Sequence, residues 1–247
     1  RGSMAVRGGD GGGVAAGAGG GGARAFEWGT AGSEPAGTRL QPLDVNGLVG
    51  VKPTRGLISR AGVIPLAEGF DTAGPMTRNV ADAAALLTAV AGTDPRDPAT
   101  AAASQHATDY VKALPGASLK GVRLGYSASA LASGPSGQQK VFARVLADLK
   151  RLGATLVDTD VVEYAGIVGL AELVVIPDDF KANLNHYLAT EIKTPRSGVK
   201  TLSDIIAFNG KHPDKVKYGQ GLLQASDATP GEAKSASAGA LALRTTM

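Results

Sequence analysis

The segment from 122 to 157 places the strongest constraint on the fold. Val122–Tyr126 has the β-branched and aromatic composition that is typical of a strand. Between Gln138 and Leu152 the apolar residues recur at helical spacing, and Gly153 follows as a helix stop. Thr155–Val157 then returns to a strand pattern. Since a strand, a helix and a strand in this order join by a right-handed crossover, we predict locally parallel strands and an α/β class.

The residues before this segment predict turns, strands and one well-defined helix. Asn46–Gly56 alternates short β-branched runs with glycine and proline, which is typical of strands and tight turns. Asn79 precedes apolar residues at helical spacing, and Gly92 follows the last of them. We therefore predict a helix over Asn79–Ala91 that is capped at both ends. Further helical patterns cover residues 165–176, 179–189 and 202–208.

Glycine divides the chain into three regions. The first 40 residues contain 14 of the 35 glycines and few large apolar side chains, so this stretch cannot form a core alone. We predict a glycine-rich segment at 1–44, a folded α/β region at 45–230, and a frayed tail rich in Ala, Ser and Gly at 231–247. No repeat of 20 to 50 residues is present, which argues against solenoids and propellers.

Composition excludes several classes of function. The 25 basic and 22 acidic residues are interspersed, so the net charge of +3 does not indicate a nucleic-acid partner. Without cysteine there is no thiol nucleophile and no disulfide framework, which fits a cytoplasmic location. No apolar run is long enough for a membrane span. We therefore predict neither a nucleic-acid nor a membrane partner, and a homodimer stays open.

Cofactor and metal motifs are also missing from the sequence. The three histidines, His106, His186 and His212, lie far apart without the spacing of metal ligands. No Gly-x-x-x-x-Gly-Lys-(Ser/Thr) motif occurs, and no strong strand precedes the early glycines, so a nucleotide site is not indicated. We predict no metal and no cofactor.

Four sequence blocks occur in order between Asn46 and Ala84 of the folded region. They are Asn46–Thr54, Ser59–Pro65, Asp71–Met76 and Val80–Ala84. Together they closely resemble the hallmark of the amidase-signature family. A thinner resemblance to the branch that contains bacterial peptide amidases continues through Gly92–Pro98, Leu119–Gly125, Asp179–Ala182 and Leu202–Asn209. The resemblance implies the amidase-signature fold, a mixed and mostly parallel sheet surrounded by helices, here incomplete at both ends.

The resemblance also implies a reaction. Such enzymes hydrolyse the carbon–nitrogen bond of linear carboxamides with a serine nucleophile, a bridging serine and a lysine base. A serine hydroxyl attacks well only when a neighbouring group removes its proton, and a desolvated neutral lysine can do so. Backbone N–H groups of the turn before the nucleophile stabilise the oxyanion. The expected substrate is a small-molecule or peptide amide.

The family pattern places the nucleophile eight residues before the asparagine of the first block. Counting back from Asn46 assigns the nucleophile position to Thr38. The preceding oxyanion turn corresponds to Pro35, Ala36 and Gly37. Threonine adds a methyl group that stiffens χ1, and Pro35 has no backbone N–H to donate. An ordinary loop threonine is the competing interpretation of Thr38.

The other two catalytic positions also depart from the family pattern. Asp10 stands at the position of the bridging serine, within a glycine-rich run that also fits a flexible linker or a shifted reading frame before Asp44. The base lysine belongs upstream of Arg1, while the first lysine of this chain, Lys52, occupies a structural position of its block. We therefore predict an amidase with weak or no activity. The alternative is a noncatalytic amidase-fold binding or assembly module.

Three polar residues of the blocks have two possible roles. Asp71, Thr72 and Arg78 could line a substrate cleft, or they could satisfy backbone groups and cap helices. The sequence leaves both roles open.

Overall fold

A computed structural model describes residues 29–34, 46–159, 162–192 and 198–231, with backbone alone for 29–34 and 162–174. The chain forms two compact units. The second unit is Ala113–Leu173, and the first consists of the described parts of Arg1–Lys112 and Val174–Met247. The predicted glycine-rich segment lies mostly outside the described residues, as does nearly all of the predicted tail.

An antiparallel sheet organises the first unit. Its strands are β1 (Gly29–Glu34), β2 (Val49–Gly50) and β3 (Thr72–Thr77), in the order β1-β3-β2. All six residues of the central strand β3 are buried. Pro75 lies within β3 although proline cannot donate a ladder hydrogen bond, and its carbonyl accepts from the backbone N–H of Val51 at 3.1 Å. The sheet therefore brings the first and third sequence blocks together.

Helix α1 (Val80–Val90) confirms the predicted capped helix. The side-chain oxygen of Asn79 accepts from the backbone N–H of Asp82 at 2.9 Å, which satisfies one of the free donors of the first turn. Leu87 packs with Ile58 and Ala73 in the core of this unit. The short helix α2 (Ala103–His106) follows, between 3₁₀ turns at Pro98–Thr100 and Tyr110–Ala113.

The second unit confirms the predicted crossover. It contains β4 (Arg123–Tyr126), α3 (Ala128–Ser133), α4 (Ser136–Arg151) and β5 (Thr155–Asp158). Strands β4 and β5 are parallel, with Arg123 opposite Thr155 and Tyr126 opposite Asp158. Gly153 follows α4 with a φ of 97°, a left-handed conformation that favours glycine. The predicted stop of the helix is therefore correct.

Three helices complete the described chain. They are α5 (Val162–Thr190), α6 (Leu202–Gly210) and α7 (Gly221–Asp227). The helical patterns predicted at 165–176 and 179–189 form one helix, with Pro177 inside it. A capping box starts α6, because Thr201 accepts from the backbone of Asp204 and Asp204 accepts from the backbone of Thr201. No helix within the described ranges is long and apolar enough to cross a bilayer.

The α/β class is confirmed, and both kinds of strand pairing are present. The expectation that the sheet is mostly parallel, however, does not describe these strands, because the three-stranded sheet is antiparallel. The reason lies in the connection. Residues 51–71 connect β2 to β3 without a helix, whereas the crossover between parallel strands is usually helical. Parallel pairing is found where α4 supplies that crossover.

Candidate functional site

The predicted catalytic residues lie outside the described residues. This applies to Thr38 at the nucleophile position, to Asp10 at the bridging position, and to Pro35, Ala36 and Gly37 in the oxyanion turn. Their roles stay predictions. The structure describes β1, the strand that precedes the oxyanion turn in the chain, and the side chains near Thr72, which pairs with the last residue of β1.

Strand β1 fixes the start of the predicted catalytic loop. Gly32–Glu34, which resembles the beginning of that loop, forms the end of the strand, with Ser33 opposite Ala73 and Glu34 opposite Thr72. Position 38 follows Glu34 by four residues, and covalent geometry limits such a stretch to roughly 14 Å. The strand pairing therefore fixes the position of Glu34, the last described residue before the predicted oxyanion turn and nucleophile.

Asp71 is a buried acid beside this strand end. Its side chain is 4% exposed, and its Oδ2 accepts from the backbone N–H groups of Leu66 at 2.8 Å and Ala67 at 3.1 Å. Burial raises the pKa of the Asp71 carboxyl, and the nearby Asp179 raises it further. Two backbone hydrogen bonds and the charge of Arg60 act in the opposite direction. Asp71 thus carries a carboxyl whose ionised form is disfavoured.

An open cleft of about 180 Å³ borders Asp71. Its lining includes Arg60, Val63, Pro65, Asp71, Arg96 and Asp97. Asp71 therefore accepts hydrogen bonds from backbone donors and also lines a cleft. Thr72 is buried, whereas Arg78 is exposed and does not line this cleft.

A buried ion pair forms one wall of the cleft. The Arg60 guanidinium donates to Asp97 through Nε at 2.9 Å and through Nη2 at 2.8 Å. The backbone N–H of Arg60 also donates to Asp97 at 2.9 Å, and Nη1 donates to the carbonyl of Glu68 at 2.6 Å. The hydrogen bonds from Arg60 lower the pKa of Asp97 to about 2. Arg60 and Asp97 thus satisfy each other and form a rigid wall.

A second fork lies on the more exposed side. Arg96 donates to Asp94 through Nε at 3.1 Å and Nη2 at 2.8 Å, and Ser59 Oγ donates to the same carboxylate at 2.7 Å. The hydrogen bonds from Arg96 hold the pKa of Asp94 well below its usual range. Thr100 Oγ1 bridges the carbonyls of Asp94 and Asp97 at 3.0 and 2.8 Å. The Thr100 hydroxyl therefore contacts the backbone of both acids that form the two forks.

Helix α5 contributes a further cluster of charged residues to the first unit. Lys181 Nζ donates to the carbonyls of Asp227 at 2.5 Å and Thr229 at 2.8 Å, so it caps the carboxyl end of α7. Asp178 Oδ1 accepts from the backbone N–H of Gly231 at 2.7 Å. The sequence signal for this cluster was the thin resemblance at Asp179–Ala182, which assigned no roles.

A second cleft lies beside the 3₁₀ turn at Pro98–Thr100. It measures about 410 Å³ and is lined mainly by small apolar side chains, together with Arg55, His106 and Tyr110. Within the described part of the chain, no group of three or more His, Asp or Glu residues could hold a metal ion. The described clefts therefore offer walls and charged groups to a ligand, and the predicted nucleophile, Thr38, lies outside the described residues.

Comparison with known proteins assigns the chain to a family. Residues 2–226 match the sequence model of the amidase family, which includes residues well upstream of the four blocks. The chain therefore belongs to the amidase family, and the resemblance drawn from the blocks is confirmed.

Individual relatives agree with this assignment. The native peptide amidase of Stenotrophomonas maltophilia superposes with a TM-score of 0.81 at 37% identity, covering 92% of this chain and 46% of its own. A probable amidase of Arabidopsis thaliana is 34% identical over 209 residues, 81% of this chain and 39% of its own. A putative amidase of Arthroderma benhamiae is 41% identical over 154 residues, 61% of this chain and 25% of its own. This chain thus spans less than half the length of these relatives.

Proposed function

We propose that this chain is part of an amidase that hydrolyses the carbon–nitrogen bond of a linear carboxamide. The observation that carries this proposal is the family match over residues 2–226. The similarity to a peptide amidase supports a peptide carboxamide as the substrate class. The noncatalytic alternative is not favoured, because the relatives named above are described as amidases. The cytoplasmic location and the homodimer stay predictions.

The proposed chemistry is nucleophilic acyl transfer. The hydroxyl oxygen at position 38 attacks the carboxamide carbon while a base takes its proton. The carbon–nitrogen bond then breaks, ammonia leaves with a proton returned to nitrogen, and water hydrolyses the resulting ester. In the family arrangement the bridging position, Asp10 here, relays the proton. The turn at Pro35–Gly37 faces the oxyanion with one backbone donor fewer, because proline has no N–H.

The described residues support this proposal through position. The ladder between β1 and β3 holds Glu34 opposite Thr72, four residues before the proposed nucleophile. Asp71 immediately precedes Thr72 in the chain and lines a cleft with Arg60. The Asp71 carboxyl and the Arg60 guanidinium both line this cleft, and a few polar groups in a cleft fix the orientation of a bound ligand. The cleft therefore suits the amide group of a substrate.

We expect the 247-residue chain by itself to be a weak catalyst or inactive. Threonine stands at position 38, where the family resemblance implies a serine. The methyl group of threonine restricts χ1 and crowds a tight turn. Weak activity is thus a consequence of the proposed site.

Ammonia release from an N-acetylated peptide carboxamide tests the proposal. We expect slow release or none by the wild-type chain, faster release by Thr38→Ser than by wild type, and none by Thr38→Ala. Each protein is assayed alone and with the portions of the Stenotrophomonas peptide amidase that this chain does not match. Turnover that persists in Thr38→Ala contradicts the assigned nucleophile. No turnover by wild type and Thr38→Ser in either setting contradicts the amidase assignment of this chain.

A further inference from the structure

The larger cleft of the first unit carries a positive charge that no residue of its lining neutralises. It lies between the turn at Thr54–Leu57 and the segment 99–110, and we call it the Arg55 cleft. Its volume of about 410 Å³ lies in the range of small-molecule sites. Arg55 and His106 line it, and no acidic side chain does. Among the described residues, none forms a hydrogen bond or an ion pair with the Arg55 side chain.

The smaller cleft beside Asp71 differs, because its guanidinium groups are already paired within the protein. Arg60 donates to Asp97 and Arg96 donates to Asp94. Arg55 instead presents its donors to the Arg55 cleft. Because a guanidinium donates two parallel hydrogen bonds to a carboxylate, an anion with that geometry complements this side chain.

Small residues create the space in the Arg55 cleft. Three alanines line one wall: Ala99, Ala102 and Ala103. On the other wall, Gly56 approaches the carbonyl of Ala99 so closely that a methyl carbon on the glycine would overlap the oxygen. Leu57 and Tyr110 pack against the core cluster of this unit, which holds both walls in place. The cleft therefore has rigid and mainly apolar walls.

We propose that the Arg55 cleft binds a small organic carboxylate with an aromatic or branched aliphatic body. The carboxylate accepts hydrogen bonds from the Arg55 guanidinium, and the body lies against the alanines. His106 and Tyr110 line the same cleft and add polar groups that orient the ligand. The apolar walls favour such an anion over inorganic phosphate, which has no apolar surface to bury. The proposal goes beyond amide hydrolysis and does not depend on catalysis at Thr38.

Titration with three matched probes tests the proposal. Naphthylacetate has the charge and an apolar body, naphthylethanol has the same body without the charge, and acetate has the charge without the body. Isothermal titration calorimetry with the 247-residue chain measures each affinity. We expect naphthylacetate to bind at least about tenfold more tightly than either of the other two probes. An equal affinity for naphthylacetate and one of the other probes would overturn the proposal, as would the absence of binding.

Two pairs of variants locate the site. Ala102→Leu fills the alanine-lined wall, whereas Ala101→Leu adds the same bulk at an exposed neighbour that does not line the cleft. Arg55→Gln removes the charge of the cleft, and Arg78→Gln removes that of an exposed arginine outside it. We expect the affinity for naphthylacetate to fall at least about tenfold in Ala102→Leu and Arg55→Gln and to stay unchanged in the two controls. Circular dichroism verifies that each variant is folded.

Backbone amide chemical shifts distinguish the Arg55 cleft from the cleft beside Asp71. Naphthylacetate should shift the amide signals of Gly56 and Ala103 and leave that of Ala61, which lines the smaller cleft, unchanged. Shifts centred on Ala61 would assign the ligand to the smaller cleft and overturn the proposal. Equal effects of a variant and its control would overturn it as well. A lack of ammonia release by the same protein would contradict only the proposed amidase function.

Discussion

Arg60 and Asp97 meet in a two-bond fork that ties together two parts of the chain 37 residues apart in sequence. Their side chains are 12% and 5% exposed. A bidentate arginine–carboxylate pair has fixed geometry, which a lysine ammonium cannot reproduce. The fork therefore sets the relative position of the Ser59–Pro65 block and the segment at Gly92–Pro98, and with it the shape of the Asp71 cleft.

Replacing Arg60 should destabilise the first unit. Arg60→Met leaves the Asp97 carboxylate buried without its partner, and we expect a loss of about 3 kcal/mol in the free energy of unfolding. Urea titration followed by circular dichroism measures this change. The control is Arg96→Met, since Arg96 is 77% exposed in its own fork and its loss should cost clearly less. Equal losses in the two variants would contradict the importance of burial.

Asp71 should make stability depend on pH in the direction opposite to an ion-paired acid. Its folded-state pKa is raised, so the protonated form is favoured by folding at low pH. This stability is present below about pH 4, the ordinary range of Asp, and is lost as pH rises through the higher folded-state pKa. Asp71→Asn, which stays neutral, should therefore gain stability relative to wild type from pH 3 to 7.

Urea titrations of both proteins across this pH range measure the difference. A constant difference between Asp71→Asn and wild type would show that burial does not disfavour the Asp71 charge.

Gly56 should not tolerate a side chain. Its φ is +85°, and a methyl carbon there would overlap the carbonyl oxygen of Ala99. We expect Gly56→Ala to cost about 3 kcal/mol, from the left-handed backbone and the overlap together. Gly47→Ala is the matched control, because Gly47 has a φ of +63° with open space around it. It should cost about 1 kcal/mol in thermal or urea unfolding.

Lys181 should determine the local stability of α7. Lys181→Met removes two hydrogen bonds from a charged donor to the carbonyls of Asp227 and Thr229, and we expect a local loss of about 2 kcal/mol. Hydrogen exchange of the α7 amides reports this loss directly. Lys215→Met, at a lysine that is 78% exposed, provides the control and should leave α7 unchanged. Unaltered exchange in Lys181→Met would refute the capping role.

Local patterns predicted the regular elements of this chain well. The helix cap at Asn79 and the helix stop at Gly153 are determined by residues that are close in the sequence. The parallel pairing of β4 with β5 follows from the order of elements alone. Such features were accessible because each depends on a short stretch of sequence or on chain direction.

Features that depend on distant residues were not accessible. The fork between Arg60 and Asp97 joins two sequence blocks whose spacing carries no periodic signal. Pro75 within a buried central strand runs against the local preference of proline, and tertiary packing overrides that preference. The charged cluster at Lys181 is complete only with carbonyls 46 and 48 residues away. The family resemblance marked these positions without giving their partners.

The ladder between β1 and β3 depends on backbone hydrogen bonds and little on side-chain identity. Backbone groups hold Gly29–Glu34 against Thr72–Thr77, and backbone groups are the same in every residue except proline. Mutations can therefore accumulate along β1 while the place from which the next loop departs is preserved. The pairing with β3 therefore holds Gly29–Glu34 in register whatever side chains β1 carries. Substitutions on β1 should accordingly disturb this ladder less than a proline there would, since proline alone removes a backbone donor.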